Sequence, residues 1–131
     1  MAIKPAKDLV ADAREQINIL SLSDAIALHG DPDVLFIDIR DVRELDREGR
    51  IPGAFHAPRG MLEFWFDPQS PYHKTALATD QKKIFFCASA WRSALSVKAL
   101  QDMGVENVFD LEGGFKSWRD GGGPIEKKDQ A

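Results

Sequence analysis

The chain contains one cysteine, Cys87, in 131 residues. A lone thiol closes no internal disulfide, so the sequence reads as that of a soluble protein kept in a reducing compartment, with the cytoplasm as the expected location. Long apolar runs are missing too. None approaches the length needed to span a bilayer, and the first residues lack the apolar centre of a secretory leader. Positive charge is not in excess. The formal net charge is −4 with both signs interspersed, so no basic stripe marks a nucleic-acid partner and no polybasic patch marks a membrane. The three histidines, His29, His56 and His73, form no cluster with the cysteine at metal-ligand spacing, and no metal is expected. Serine, aspartate and histidine do not fall into a hydrolase triad. The glycines do not take the dinucleotide-binding spacing after a first strand, and no organic cofactor is expected.

What is present is enough for one core. With 44% hydrophobic and 29% charged residues, the chain is expected to fold as a single domain. Residues 1–18 read as a helical extension, 19–124 as the domain and 125–131 as a loose polar tail. In the extension, Leu9, Val10, Ala13 and Ile17 recur at helical spacing, and this helix either docks on the domain or meets a partner. Ser21 or Ser23 caps a second helix that stops near Gly30. Val34-Leu35-Phe36-Ile37 and Lys83-Ile84-Phe85-Phe86 are continuous apolar runs of the kind buried on both faces of a parallel sheet. Short strands are also expected at 17–20, 54–57 and within 105–111. Helices are expected at 42–48, ended by Gly49, at 93–103, ended by Gly104, and at 115–119. The alternation predicts an α/β domain with a mostly parallel central sheet and helices on both faces, in three layers. The aromatic stretch Met61 to Phe66 reads first as core. One side of it, with Trp91, is a further expectation for the wall of a site.

The chemistry converges on Cys87-Ala88-Ser89-Ala90-Trp91-Arg92. A buried strand delivers the cysteine into a loop of small residues that turns at once into a helix. Thiolates are favoured at helix N-termini and beside cations, and a loop of small residues can turn successive N–H groups toward an anion. Arg92 adds a permanent charge with a planar fork suited to oxyanions. Taken by type, a lone cysteine after Ile-Phe-Phe is a small core residue. The succession of strand, small loop, arginine and helix argues instead for a reactive thiol. Asp38 and Arg40 stand at the exit of the other apolar strand, where an ion pair or turn cap is the first reading.

These blocks resemble a single-domain rhodanese, a sulfurtransferase. The resemblance rests on the loop with Arg92 five positions after Cys87, on Phe36-Ile37-Asp38-Ile39-Arg40, on Gly49-Arg50-Ile51-Pro52-Gly53-Ala54 and on Glu112-Gly113-Gly114-Phe115-Lys116-Ser117-Trp118. They stand in the family's order from about Ser21 to Trp118. The resemblance implies a double displacement in which Cys87 takes a sulfane sulfur from a small anionic donor such as thiosulfate. The resulting persulfide is discharged to cyanide or a thiol, or to a protein sulfur acceptor. Cys87 is then catalytic. Ala88, Ser89, Ala90, Trp91 and Arg92 bind substrate, and Asp38, Arg40, Glu44 and Ser93 give structural support. Arg92 either orients the donor or clamps a loop carbonyl or carboxylate.

Three departures stand out. Glu44 is acidic where two-domain relatives place an arginine near the cysteine, with Arg43 beside it to compensate. Arg50 replaces a common histidine, and Ala90 stands where glycine is usual. If position 90 needs a positive φ, alanine costs on the order of 1 kcal/mol there. Related cysteine phosphatases place the arginine six positions after the cysteine, a ring sized for phosphate. The other alternative is a rhodanese-like module that carries sulfur to one partner or senses oxidation through Cys87 without turnover.

Overall fold

Two apolar pentapeptides form the centre of the sheet. Val34–Asp38 (β2) and Lys82–Phe86 (β4) pair in parallel from Val34↔Lys82 to Asp38↔Phe86 in a computed structural model that describes residues 2–127. Asn18–Leu20 (β1), Phe55–His56 (β3) and Val108–Leu111 (β5) complete the parallel sheet, in the order β1-β5-β4-β2-β3. Parallel neighbours require crossovers, and the helices supply them. Among the described residues these are Ala6–Arg14 (α1), Leu22–Leu28 (α2), Val42–Glu48 (α3), Leu62–Phe66 (α4), Trp91–Met103 (α5) and Gly114–Asp120 (α6). None of them is long and apolar enough to cross a membrane.

Strand side chains alternate between faces, and the sheet accordingly separates two cores. Phe36, Ile84, Phe86 and Leu111 pack with Ala25, Ile51, Phe115 and Trp118 on one side. Ile37, Phe85 and Cys87 pack with Leu62, Phe66, Leu77, Val97 and Leu100 on the other. Leu62 and Phe66 put part of the aromatic stretch in the core. Trp65 lies edge-on to Phe55 under the Lys74 ammonium, and Phe64 and Tyr72 are exposed.

Local chemistry fixes the helix ends. Ser21 accepts the Asp24 N–H at the start of α2, and Asp41 and Glu44 form a reciprocal capping box on α3. Gly49 closes α3 at φ +89°, a left-handed region open to glycine. Val10 and Ala13 bury the inner face of α1, which packs on α5. At the other end, the backbones of Arg50 and Glu126 bond reciprocally at 2.9 Å and Ile125 packs against the second core. The start of the expected tail is therefore attached to the domain. Residues 128–131 of that tail lie outside the described residues.

The pairing of β2 with β4 decides where the chemistry sits. Asp38 is level with Phe86, and the Ile39 N–H reaches the Phe86 carbonyl at 3.1 Å. Asp38, Arg40 and Cys87 thus leave the sheet at one carboxyl edge, the edge where parallel α/β sheets take ligands.

Candidate active site

Cys87 directly follows β4, packs on the same side of the sheet as Phe85 and is 1% exposed. Its Sγ receives the Ser93 N–H at 3.4 Å and faces the Ser93 hydroxyl at 3.5 Å, with the thiol as donor. Ser93 belongs to the first turn of α5, whose leading N–H groups have no partner within the helix. The sulfur is buried, and at least one amide of that turn is directed onto it.

The loop is held from behind by its carbonyls. The Phe115 N–H bonds the Cys87 carbonyl at 2.8 Å, and the Lys116 N–H bonds the Ala88 carbonyl at 3.1 Å. Arg14, from α1, donates to the Ala90 carbonyl at 3.3 Å. In a planar trans peptide the N–H opposes the C=O, so the N–H groups of Ala88 and Ser89 turn away from α6 and that of Trp91 turns away from Arg14. Among the described residues none of the amides from Ala88 to Arg92 donates to a backbone carbonyl. They remain available to a ligand.

Two residues set the curvature. Gly114 sits at φ +66°, and a Cβ there would lie 2.7 Å from the Cys87 carbonyl oxygen. Ala90 adopts φ +69°, ψ 12° at the start of α5, so it carries the left-handed strain that its type makes costly. Ala90→Gly is expected to raise stability by about 1 kcal/mol, read from the denaturant midpoint, because the strain is released at a position glycine tolerates. An unchanged or lower midpoint would show that the loop's own contacts cover that cost.

Charge at the rim is paired. Glu44 takes both Arg92 terminal nitrogens, at 2.8 and 2.9 Å, while also accepting the Asp41 N–H in the α3 cap. The Arg92 hydrogen bond, with the Asp41 N–H in support, holds the Glu44 carboxyl down to about 2, and the same pair raises Arg92. The pair therefore persists across the neutral range. Arg43 turns to Asp41 instead of the cysteine loop. That removes it as a compensating cation, because Asp41, the cap of α3, holds its guanidinium. Trp91, the first residue of α5, is 49% exposed, and the packing of Trp65 against Phe55 gives no shared wall.

Asp38 and Arg40 form the buried support, both 1% exposed. The Arg40 guanidinium grips the Asp38 carboxylate at 2.7 to 3.2 Å, donates to the Gly49 carbonyl at 2.9 Å and lies 4.1 Å over the Phe115 ring. It ties the β2 exit to α3 and α6. The Arg40 carbonyl is matched to His56 Nε2 at 2.6 Å, and His29 and His73 likewise meet the carbonyls of Pro52 and Trp65.

The sequence reading passed over Arg14, Gly114 as a close-approach point, and Asp110. Asp110 on β5 is 1% exposed. Burial pushes its carboxyl up to about 6, opposed by a hydrogen bond from Ser93 and by the charge of Arg14. Because the folded value lies above the unfolded one, this contribution to stability is full below the ordinary aspartate range and is lost as pH rises through about 6. The one available signal was a lone charged residue between Phe109 and Leu111 in an otherwise apolar strand.

Small cavities flank the loop. One of ≈ 200 Å³ is lined by Arg40, Glu44, Ala88, Phe115 and Lys116 among others, and one of ≈ 370 Å³ by Arg14, Ile19, Ala90, Asp110, Glu112 and Gly113. A larger one, of ≈ 600 Å³, lies between α3 and the Arg50–Glu126 bridge and is lined by none of residues 87–93.

The chain is similar to known proteins in both sequence and structure. A family model described as "Rhodanese-like domain" matches residues 21–120. A sulfurtransferase from Allochromatium vinosum is 30% identical over 110 residues, covering 84% of this chain and 92% of its own. Two solved structures are also similar. A Rhodopseudomonas palustris protein of unknown function, described as a possible tyrosine phosphatase, superposes with a TM-score of 0.92 at 52% identity, covering 96% of this chain and 97% of its own. A polysulfide-sulfur transferase homodimer from Wolinella succinogenes superposes with a TM-score of 0.70 at 30% identity, covering 95% and 88%.

Proposed function

The chain belongs to the family of rhodanese-like domains, a sulfur-transfer family, and from that premise we propose that it moves a sulfane sulfur through a persulfide on Cys87. The observation that carries this reading is the sulfur seated on the first turn of α5. Its Sγ is met by the Ser93 N–H, while the loop carbonyls of Cys87 and Ala88 are drawn off to α6. Such a setting stabilises negative charge on the thiolate and on a terminal sulfur bonded to it.

The transfer runs in two displacements. Cys87 Sγ attacks the outer sulfur of the donor, and a new S–S bond forms as the donor's bond to that atom breaks. The electron pair leaves with the donor remnant, which is sulfite when the donor is thiosulfate. An acceptor nucleophile, a thiol or cyanide, then attacks the outer sulfur and Cys87 departs as the leaving group.

The Glu44–Arg92 pair selects among donors. A donor that needs the Arg92 fork for a doubly charged oxyanion must first displace a carboxylate held at 2.8 and 2.9 Å. A sulfur chain presents no oxyanion, and the similar Wolinella protein is named as a polysulfide-sulfur transferase. Polysulfide and persulfide donors are therefore preferred over thiosulfate. The same pair speaks against the phosphatase wording attached to the Rhodopseudomonas structure, since a phosphate ester needs that fork free.

Loading and turnover test the reading. The protein is incubated with polysulfide or thiosulfate, the intact mass is inspected for one added sulfur on Cys87, and cyanide or a thiol is added to follow thiocyanate or persulfide. Loading with turnover supports the enzyme. Loading released only to a protein favours the carrier alternative, and phosphate release from an aryl phosphate without sulfur loading overturns the proposal. Glu44→Gln keeps an acceptor for the α3 cap and removes the charge. It is expected to raise kcat/KM for thiosulfate about ten-fold, equivalent to about 1.4 kcal/mol of transition-state binding, with little change for polysulfide. Equal gains for both donors would show that the pair is not selective.

A further inference from the structure

The ≈ 200 Å³ cavity beside the cysteine loop is lined by the cations Arg40, Arg47, Lys116 and Arg119 and by the carboxylates of Glu44 and Glu48. Both carboxylates are committed. Glu44 takes the Arg92 fork, and Glu48 is shared by Arg47 and Arg119. Arg40 is closed on Asp38 and the Gly49 carbonyl, and Arg119 also meets Asp120. Among the described residues the Lys116 ammonium enters no ion pair. Its side chain is exposed, while its backbone N–H holds the Ala88 carbonyl at 3.1 Å. That bond fixes Lys116 to the peptide that follows Cys87, and Ala88 lines the same cavity. In a chain whose net charge is −4, this corner of the loop carries an excess of positive charge.

We infer that this cavity is an anion subsite with Lys116 as its uncommitted cation, and that it holds the end of the sulfur donor remote from Cys87. The identity of that anion rests on the sulfur-transfer reading above. With the Arg92 fork closed by Glu44, an anionic donor needs another cation next to the loop, and Lys116 supplies it.

Charge bookkeeping for the first displacement shows what the subsite would do. A polysulfide carries one negative charge at each end. As the Cys87 thiolate bonds the outer sulfur, the bond from that sulfur to the rest of the chain breaks and its electron pair stays with the rest. The outer sulfur keeps its charge as the perthiolate, and the remnant leaves as a shorter dianion, so atoms and charge balance without a further reactant. The remnant's charge thus grows from one to two during the step. A cation beside it is worth more in the transition state than in the bound donor, and that difference accelerates loading. A point charge on a flexible stem suits a sulfur chain, which offers no planar pair of oxygens for an arginine fork.

Because Cys87 is the chain's one cysteine, its alkylation probes the subsite without any sulfur donor. Iodoacetate and iodoacetamide alkylate a thiolate by the same displacement of iodide and differ by one negative charge, so the ratio of their rates reads attraction of an anion to the loop. The ratio is measured at low and high salt for the full chain and for Lys116→Gln, Lys116→Arg and Lys82→Gln, each checked for a folded thermal transition. Lys82 begins β4, at the end of the strand away from Cys87, and its loss changes the net charge equally. Lys116→Gln is expected to lower the ratio about three-fold at low salt and less at high salt, with Lys116→Arg restoring it. The inference is overturned if Lys116→Gln moves the ratio no more than Lys82→Gln does, or if Lys116→Arg fails to restore it. Sulfur loading from polysulfide, run in parallel, is expected to slow about ten-fold in Lys116→Gln, since the departing remnant carries two charges. A shifted ratio with unchanged loading overturns the assignment to the donor. A shifted ratio with no loading even in the wild type removes sulfur transfer and leaves the anion subsite, whereas normal loading with an unmoved ratio does the reverse.

Discussion

Cys87→Ser is expected to abolish sulfur loading and to lower kcat/KM for sulfur transfer on the order of 10³-fold or more. Serine fits the same space, and its oxygen can still receive the Ser93 N–H that now meets Sγ at 3.4 Å. The fold should persist with little loss of stability. The chemistry should not, because the setting contains no base strong enough to make an alkoxide, and an alkoxide does not form the persulfide bond. Each histidine has one ring nitrogen against a carbonyl, that of Pro52, Arg40 or Trp65, and none is in contact with Cys87 Sγ. The measurement pairs intact-mass loading with turnover, and the thermal transition confirms that the variant is folded. Activity near wild type in a folded Cys87→Ser would remove the mechanism.

Arg40→Ala carries the largest stability effect. Arg40 and Asp38 are each 1% exposed, and removing one partner strands the other as a charge without compensation. A broken buried pair of this kind costs about 3–5 kcal/mol. The loss includes the bond to the Gly49 carbonyl and the stacking over Phe115, so α3 and α6 lose a shared anchor as well. The denaturant midpoint reads the effect. A companion variant, Asp38→Leu with Arg40→Met, removes both charges and should recover most of the loss, since apolar replacement of a whole buried pair is often close to neutral. A loss below about 1 kcal/mol for Arg40→Ala would mean that water reaches Asp38 and that the pair is not closed in the protein.

The sequence was informative wherever structure follows from a local pattern. Val34 to Ile37 and Ile84 to Phe86 announce strands covered on both faces because nothing polar interrupts them, and they are the paired centre of the sheet. Ser21 and Gly49 mark helix ends because a hydroxyl acceptor and a residue tolerant of positive φ are what those ends require. The α/β layers followed from the alternation of such segments. Pairings between distant segments were not visible in this way. Glu44 meets Arg92 across 48 residues, Arg14 reaches Ala90 across 76, and Arg50 meets Glu126 across 76. No periodicity links such residues, since their meeting depends on strand order and helix placement. Asp110 is the clearest case, because its partner Ser93 sits on another element and becomes its neighbour when α5 packs against β5.

Gly114 has a mechanical consequence. A backbone that would place a methyl group 2.7 Å from the Cys87 carbonyl oxygen leaves no slack between the cysteine loop and the beginning of α6. The amides of Phe115 and Lys116 fasten the same two peptides. The loop therefore cannot open by hinging alone, since any swing that widens it must tear away the first turn of α6. The two form a single cooperative unit.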